Sequence, residues 1–171
     1  MTCRHLKLLS LSDAPALFEF EKTNRTWFEQ HIPPREPCFY SIRGVEGQIA
    51  FFLREYKAKR MLPFLIMQGE DIIGRVNVTE ISVRRKQATL GYRIGERHTR
   101  QGVASYAAKA AMQSAQEWGI RHFYALASVD NMGSQRVLEK VGFERGGMLN
   151  EYAEVSGESV DCIEYYKRID V

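Results

Sequence analysis

The chain has 171 residues, 44% hydrophobic and 26% charged, with a formal net charge of +3. That suits one soluble domain with a proper core, and the charge is too weak to argue for nucleic acid. Cys3, Cys38, Cys162 and the four histidines are scattered without CxxC or Cys/His metal spacing. The expectations are therefore a reduced, cytoplasmic setting and no bound metal. The start, MTCRHLKLLSLSD, has no apolar stretch of a secretory signal, and no run nears the roughly 20 apolar residues of a membrane span.

HLKLL at 5–9 alternates and predicts a first strand. Ser12-Asp13 then precedes APALFEFEK, a capped amphipathic helix. TWFEQHIPPREP (26–37) predicts a short helix broken by Pro33, Pro34 and Pro37, with a loop over 33–41. Over 44–60, Ile49, Phe52, Leu53 and Tyr56 recur at helical spacing, and basic residues gather in the last turns. The period then changes. Segments 63–68, 72–81 and 87–94 are short, β-rich and separated by GED and RRKQ turns, which predicts an antiparallel meander.

Helix 102–118 follows, with Val103, Ala107, Ala110, Ala111, Ser114 and Trp118 on one small-residue face and Gly119 ending it. HFYALASV (122–129) is nearly all apolar and predicts a central, buried strand. DNMGSQRVLEKVGF (130–143) predicts a short helix ended by Gly142. Segments 143–149 and 160–169 predict a closing strand pair, with SGES as the turn. The order implies an α/β fold with a mixed sheet.

One feature of this pattern needs a ligand. Arg97, His98, Arg100 and Gly102 crowd the start of the helix at 102, whereas helix N-termini favour acids and capping hydroxyls. A bound phosphate would supply the negative charge.

Two stretches, LGYRIGERHTRQGVAS (90–105) and DNMGSQRVLEKVGFERGG (130–147), resemble the GNAT superfamily of acyl-CoA-dependent N-acyltransferases. The second is similar to the signature of its ribosomal-protein-alanine N-acetyltransferase branch. The resemblance implies one N-acetyltransferase domain over 1–171. Its fold would be a mixed, mostly antiparallel sheet of about seven strands flanked by helices. It also implies acetyl-CoA as co-substrate and direct transfer in a ternary complex.

The residues implied for the cofactor are Arg100, Gln101, Gly102, Val103, Ala104 and Ser105 around the pyrophosphate, and Tyr92, Arg93 and Ile94 along the pantetheine arm. A bulge near Tyr92–Ile94 would free an amide, that of Ile94, for the thioester carbonyl. Asn131 is a natural N-cap and, by the resemblance, a pantetheine contact. Ser134 is either a helix-surface residue or the proton donor to the thiolate. Thr89 stands where the branch often carries a carboxylate, so that base is missing. Glu151 is the leading substitute, with Glu154, Glu80 and solvent water as alternatives. Glu19, Glu21 and Glu29 in FEFEKTNRTWFEQ would attract a cationic acceptor.

The expected acceptor is a primary amine, first a protein or peptide N-terminus, with a polyamine, amino sugar or amino acid as the alternative. A non-catalytic acyl-CoA-binding module is the reading from another class. Monomer and homodimer are both open. No membrane association or nucleic-acid partner is expected.

Overall fold

The computed structural model describes residues 3–170. Met1, Thr2 and Val171, part of the domain expected over 1–171, lie outside the described residues. Seven strands form one sheet: β1 Arg4–Leu8, β2 Leu62–Gln68, β3 Asp71–Ser82, β4 Gln87–Ile94, β5 His122–Ser128, β6 Glu144–Val155 and β7 Glu158–Arg168. Their order is β1-β2-β3-β4-β5-β7-β6. Every neighbouring pair is antiparallel except β4–β5. The helices are α1 Ala14–Thr23, α2 Arg25–Glu29, α3 Ile42–Lys57, α4 Val103–Gln116 and α5 Met132–Lys140.

Strand alternation divides the sheet into two packed faces. On one face Ile66, Val76, Val78, Leu90, Phe123 and Ala125 meet α4 and α5 in a single apolar cluster. On the other, Leu65 and Met67 pack with Leu17 and Phe20 of α1 and Val45 and Ile49 of α3. Ala107, Ala108, Ala111 and Ala115 are buried with Met112. Small side chains let the α4 axis lie close to the sheet. Its buried face therefore runs through Ala108, Met112 and Ala115 instead of the predicted Ala110 and Ser114, which stay partly exposed.

Other differences from the sequence reading have local causes. α3 begins at Ile42 instead of 44, because the Ser41 hydroxyl accepts a hydrogen bond from the Gly44 N–H at 2.9 Å and caps it. β6 runs to Val155, six residues beyond the predicted strand end, and the hairpin turn narrows to Ser156-Gly157. Both have positive φ (52° and 79°), as a two-residue primed turn requires. β5 is central, but only its Phe123, Ala125 and Ala127 face is buried. Leu126 remains 39% exposed, because no helix covers the opposite face there.

Phe123 is fully buried beneath α4. Phe123→Ala should lower unfolding free energy by about 3–5 kcal/mol. Urea denaturation should show this as a lower midpoint with an unchanged slope.

Candidate active site

The parallel junction is short. Only Gln87–Thr89 of β4 pair with His122–Tyr124 of β5. Beyond Thr89, β4 follows β3 and leaves β5, and a cavity of about 290 Å³ opens between the strands. Leu90, Gly91, Tyr92 and Arg93 line one edge and Ala125 and Leu126 the other. The expected bulge at 92–94 is absent: β3–β4 register is continuous from Gly74–Ile94 to Thr79–Thr89. The irregularity lies instead between Thr79 and Ser82, where Glu80 takes φ 51°. Divergence of the strands frees β4 amides without a bulge. The Gly95 N–H donates to the Ile73 carbonyl, so alternation turns the Tyr92 and Ile94 N–H groups toward the open edge.

The loop implied for the pyrophosphate follows β4. Gly102 precedes α4 with φ 77° and supplies no side-chain cap. The first hydrogen bond of the helix is Tyr106 N–H to Gly102 C=O, so the amides of Val103, Ala104 and Ser105 have no intrahelical acceptor. A Cβ built on Gly102 would meet nothing within 4 Å. Arg100 also has positive φ, 59°, and Gln101 is held through its carbonyl by Arg4 at 2.9 Å. Open space, unmet amides and nearby positive charge suit a phosphate.

On the α4–α5 side, the Tyr92 hydroxyl lies 3.1 Å from the Ser134 hydroxyl. Burial pushes the Tyr92 phenol up to about 12, so it stays protonated at neutral pH. Asn131 caps α5, its Oδ1 accepting from the Ser134 N–H at 3.1 Å. Both hydroxyls therefore sit at the gap, that of Ser134 on a capped first turn and that of Tyr92 on β4.

A second cavity, of about 370 Å³, continues past the junction between Glu80, Thr89, Tyr124, Leu126, Tyr152 and Glu164. The Thr89 hydroxyl donates to the Glu80 carboxylate at 3.1 Å. A carboxylate of the adjacent strand thus lies beside Thr89, brought there by the irregularity at Glu80. Glu151 and Glu154, placed after the sixth strand in the sequence reading, lie within β6. Glu151 is exposed, has φ 47° and lines neither cavity; its N–H is bound by Asp161 at 2.7 Å.

Two of the three acids expected to attract a cation are paired within the chain. Glu21 is fully buried and holds three guanidiniums: Arg75 at 2.8 Å, Arg35 at 3.1 Å and Arg93 at 3.5 Å. Glu29 pairs with Arg25 at 3.4 Å, and Glu19 faces solvent. Burial raises the Glu21 carboxyl, but the three positive charges outweigh it and hold the group below its usual value. Burial and mutual repulsion lower Arg75, and bring Arg93 down to about 10. Arg93, implied by the resemblance as a cofactor contact, thus points its guanidinium at this cluster and over the Phe28 ring. Arg35 and Arg75 were not recognised in the sequence. The available signal was a lone arginine inside the apolar strand IIGRVNV.

Among the described residues, no group of three or more His, Cys, Asp or Glu is close enough to hold a metal, and no helix is long and apolar enough to cross a membrane. A sheet splayed at its one parallel junction, beside a helix with an uncapped N-terminus, defines the acyl-CoA N-acyltransferase class. The chain matches the acetyltransferase (GNAT) domain family over residues 5–144. It belongs to that family and is an acetyltransferase. It is 30% identical to the ribosomal-protein-serine acetyltransferase of Escherichia coli (strain K12), over 90% of this chain and 85% of that protein. Its fold is shared with the ribosomal-protein-S5-alanine acetyltransferase from Vibrio fischeri: TM-score 0.92 and 20% identity, covering 98% and 93% of the two chains. A ribosomal L7/L12 alpha-N-protein acetyltransferase, solved with coenzyme A, superposes with TM-score 0.91 at 24% identity, over 99% and 96%.

Glu21→Gln should destabilise the fold by about 3–5 kcal/mol at pH 7, because buried guanidiniums lose their anion. A carboxylate with a depressed folded pKa stabilises above its unfolded value of about 4.3 and loses that contribution as pH falls through the folded pKa. Denaturation curves of parent and variant should therefore differ most above pH 5 and converge in acid.

Proposed function

We propose that this chain acetylates the N-terminal amine of a protein or peptide, drawing on acetyl-CoA in a ternary complex. The observation that carries the reading is the β4–β5 gap, with free amides on its edge, paired hydroxyls on one face and a carboxylate on the other. Similarity to the Escherichia coli ribosomal-protein-serine acetyltransferase supports a protein N-terminus as acceptor. We further take the chain to be one domain over 1–171, cytoplasmic and metal-independent; its described cysteines are all free.

Acetyl-CoA supplies an acyl group already activated as a thioester. Amides of Val103, Ala104 and Ser105, with the charge of Arg100 beside them, hold the pyrophosphate. Gln101 shapes the loop, with its side-chain amide on the Arg97 carbonyl at 3.1 Å. The Tyr92 and Ile94 N–H groups orient the acyl carbonyl and stabilise negative charge on its oxygen. Asn131 keeps its Nδ2 free for the pantetheine arm while its Oδ1 caps α5. Ser134 donates a proton to the departing sulfur as its oxygen takes one from the Tyr92 hydroxyl, which regains a proton from solvent at the open gap. Glu80 takes the proton of the attacking amine, a role for which Glu151, lining neither cavity, is poorly placed.

Acetyl-CoA turnover, followed by thiol release with peptides bearing N-terminal Ser or Ala, tests the reading. Glu80→Gln should lower the turnover number about 10²–10⁴-fold at neutral pH, recovering in alkali as free amine accumulates. Ser134→Ala should lower it similarly, and both variants should keep the acetyl-CoA melting shift. If Glu151→Gln were slow and Glu80→Gln ran at the parent rate, the base would be Glu151. Gly102→Val, forced into positive φ, should keep the fold and lose that melting shift.

A further inference from the structure

Three guanidiniums share one carboxylate at the wall of the gap. Arg75 and Arg93 are direct cross-strand partners, an arrangement that repels. Glu21 offsets one positive charge of three. The adjacent Arg25–Glu29 pair compensates itself and supplies no further anion. Tyr40, also close, carries a phenol raised by burial and by Glu21 and Glu29, so it stays neutral. The cluster keeps an excess of two positive charges.

Its hydrogen bonding is incomplete as well. Arg75 is only 3% exposed, and its Nη2 has no partner. Asn77 Oδ1, one position along the same face of β3, is buried and unpartnered too. Buried polar groups are normally satisfied, and an unpaired buried charge is costly. Opposite Asn77 stands Gly91, where a Cβ would meet nothing within 4 Å. Arg35, Arg75, Asn77, Gly91 and Arg93 all line the cavity of the gap. The floor is thus hollow beside an under-neutralised cluster.

This hollow lies on the face covered by α1 and α3, since Arg75 reaches Glu21 of α1. Tyr92 reaches Ser134 on the opposite face, and the phosphate loop lies beyond the end of β4. The excess charge is therefore on the acceptor side.

We propose that the acceptor carries an anionic group, carboxylate or phosphate, close to its amine, and that Arg35, Arg75 and Arg93 bind it there. The inference rests on the acetyl-transfer reading and adds the acceptor's chemistry to it. The Arg75–Arg93 pair lies one same-face step, about 7 Å along the strand, from the Asn77–Gly91 pair. The anion accordingly belongs a few bonds from the amine: an acidic side chain in the first residues of a peptide, or the far end of a small amino acid or aminophosphate. A polyamine is repelled by the same charges.

Paired acceptors provide the test. Peptides beginning Ser-Asp and Ser-Asn, γ-aminobutyrate and its amide, and phosphoethanolamine and ethanolamine are compared by thiol release with parent, R93Q and R35Q. Both variants keep the 2.8 Å Arg75–Glu21 pair, and the acetyl-CoA melting shift confirms that each is folded. The anionic member of at least one pair should be favoured on the order of 10–100-fold in kcat/KM, and the advantage should collapse in both variants. The responding pair identifies the source as peptide or small molecule. Equal rates within every pair, or a preference that survives in both variants, overturn the proposal.

A second readout does not need turnover. At fixed ionic strength, calorimetry with glutarate and with inorganic phosphate should show binding to CoA-saturated parent and none to R93Q, and glutaramide should not bind. If no amine were acetylated but this binding held, the acetyl-transfer reading would fail and the anion site would stand. Absent binding together with absent preference removes the site.

Discussion

The molecule is organised around a sheet that stops pairing halfway along one strand. β4 and β5 share three residue pairs and then separate. Backbone groups left without a partner are costly inside a protein, so the open edge must be kept in a cleft reached by water or ligand. α4 packs tightly beneath the sheet through alanines, and α1 and α3 hold β2 and β3 in place from the other side. At the divergence itself α5 borders one face through Ser134 and Leu138. Amides, hydroxyls and the Glu80 carboxylate are therefore fixed by elements that do not need the gap to be filled.

Charge is distributed unevenly across this opening. The α4–α5 side presents neutral hydroxyls, one of them held protonated by burial. The α1–α3 side holds a buried arginine cluster around Glu21, and Glu80 and Glu164 border the adjoining cavity. Basic and acidic ends therefore follow one another along the acceptor side. A ligand with one charge of each sign can match both, which a ligand with several positive charges cannot.

Much of the fold was legible because its signals are local. Turn residues and apolar periods located the meander, and Gly102 and Gly142 marked helix boundaries that the structure holds in positive φ. The uncapped loop before α4 was legible for the same reason, being contiguous in sequence. The acceptor side was not. Glu21 meets Arg75 across 54 residues, and nothing local announces such a pair. Glu80 reaches Thr89 only through a register irregularity, so a search for a carboxylate on β4 itself finds none. The apolar run of β5 predicted burial on both faces, yet Leu126 stays uncovered, because the ligand cleft takes the place of a packed helix.

The long β6–β7 hairpin ends at Ser156, whose hydroxyl donates to the carbonyl of Glu29 at 3.2 Å, joining its tip to the end of α2. The hairpin is thereby tied to the helices between β1 and β2 by an exposed side-chain hydrogen bond. Exposed bonds of this kind open readily, so the tip can part from α2 while the β6–β7 ladder behind it stays paired.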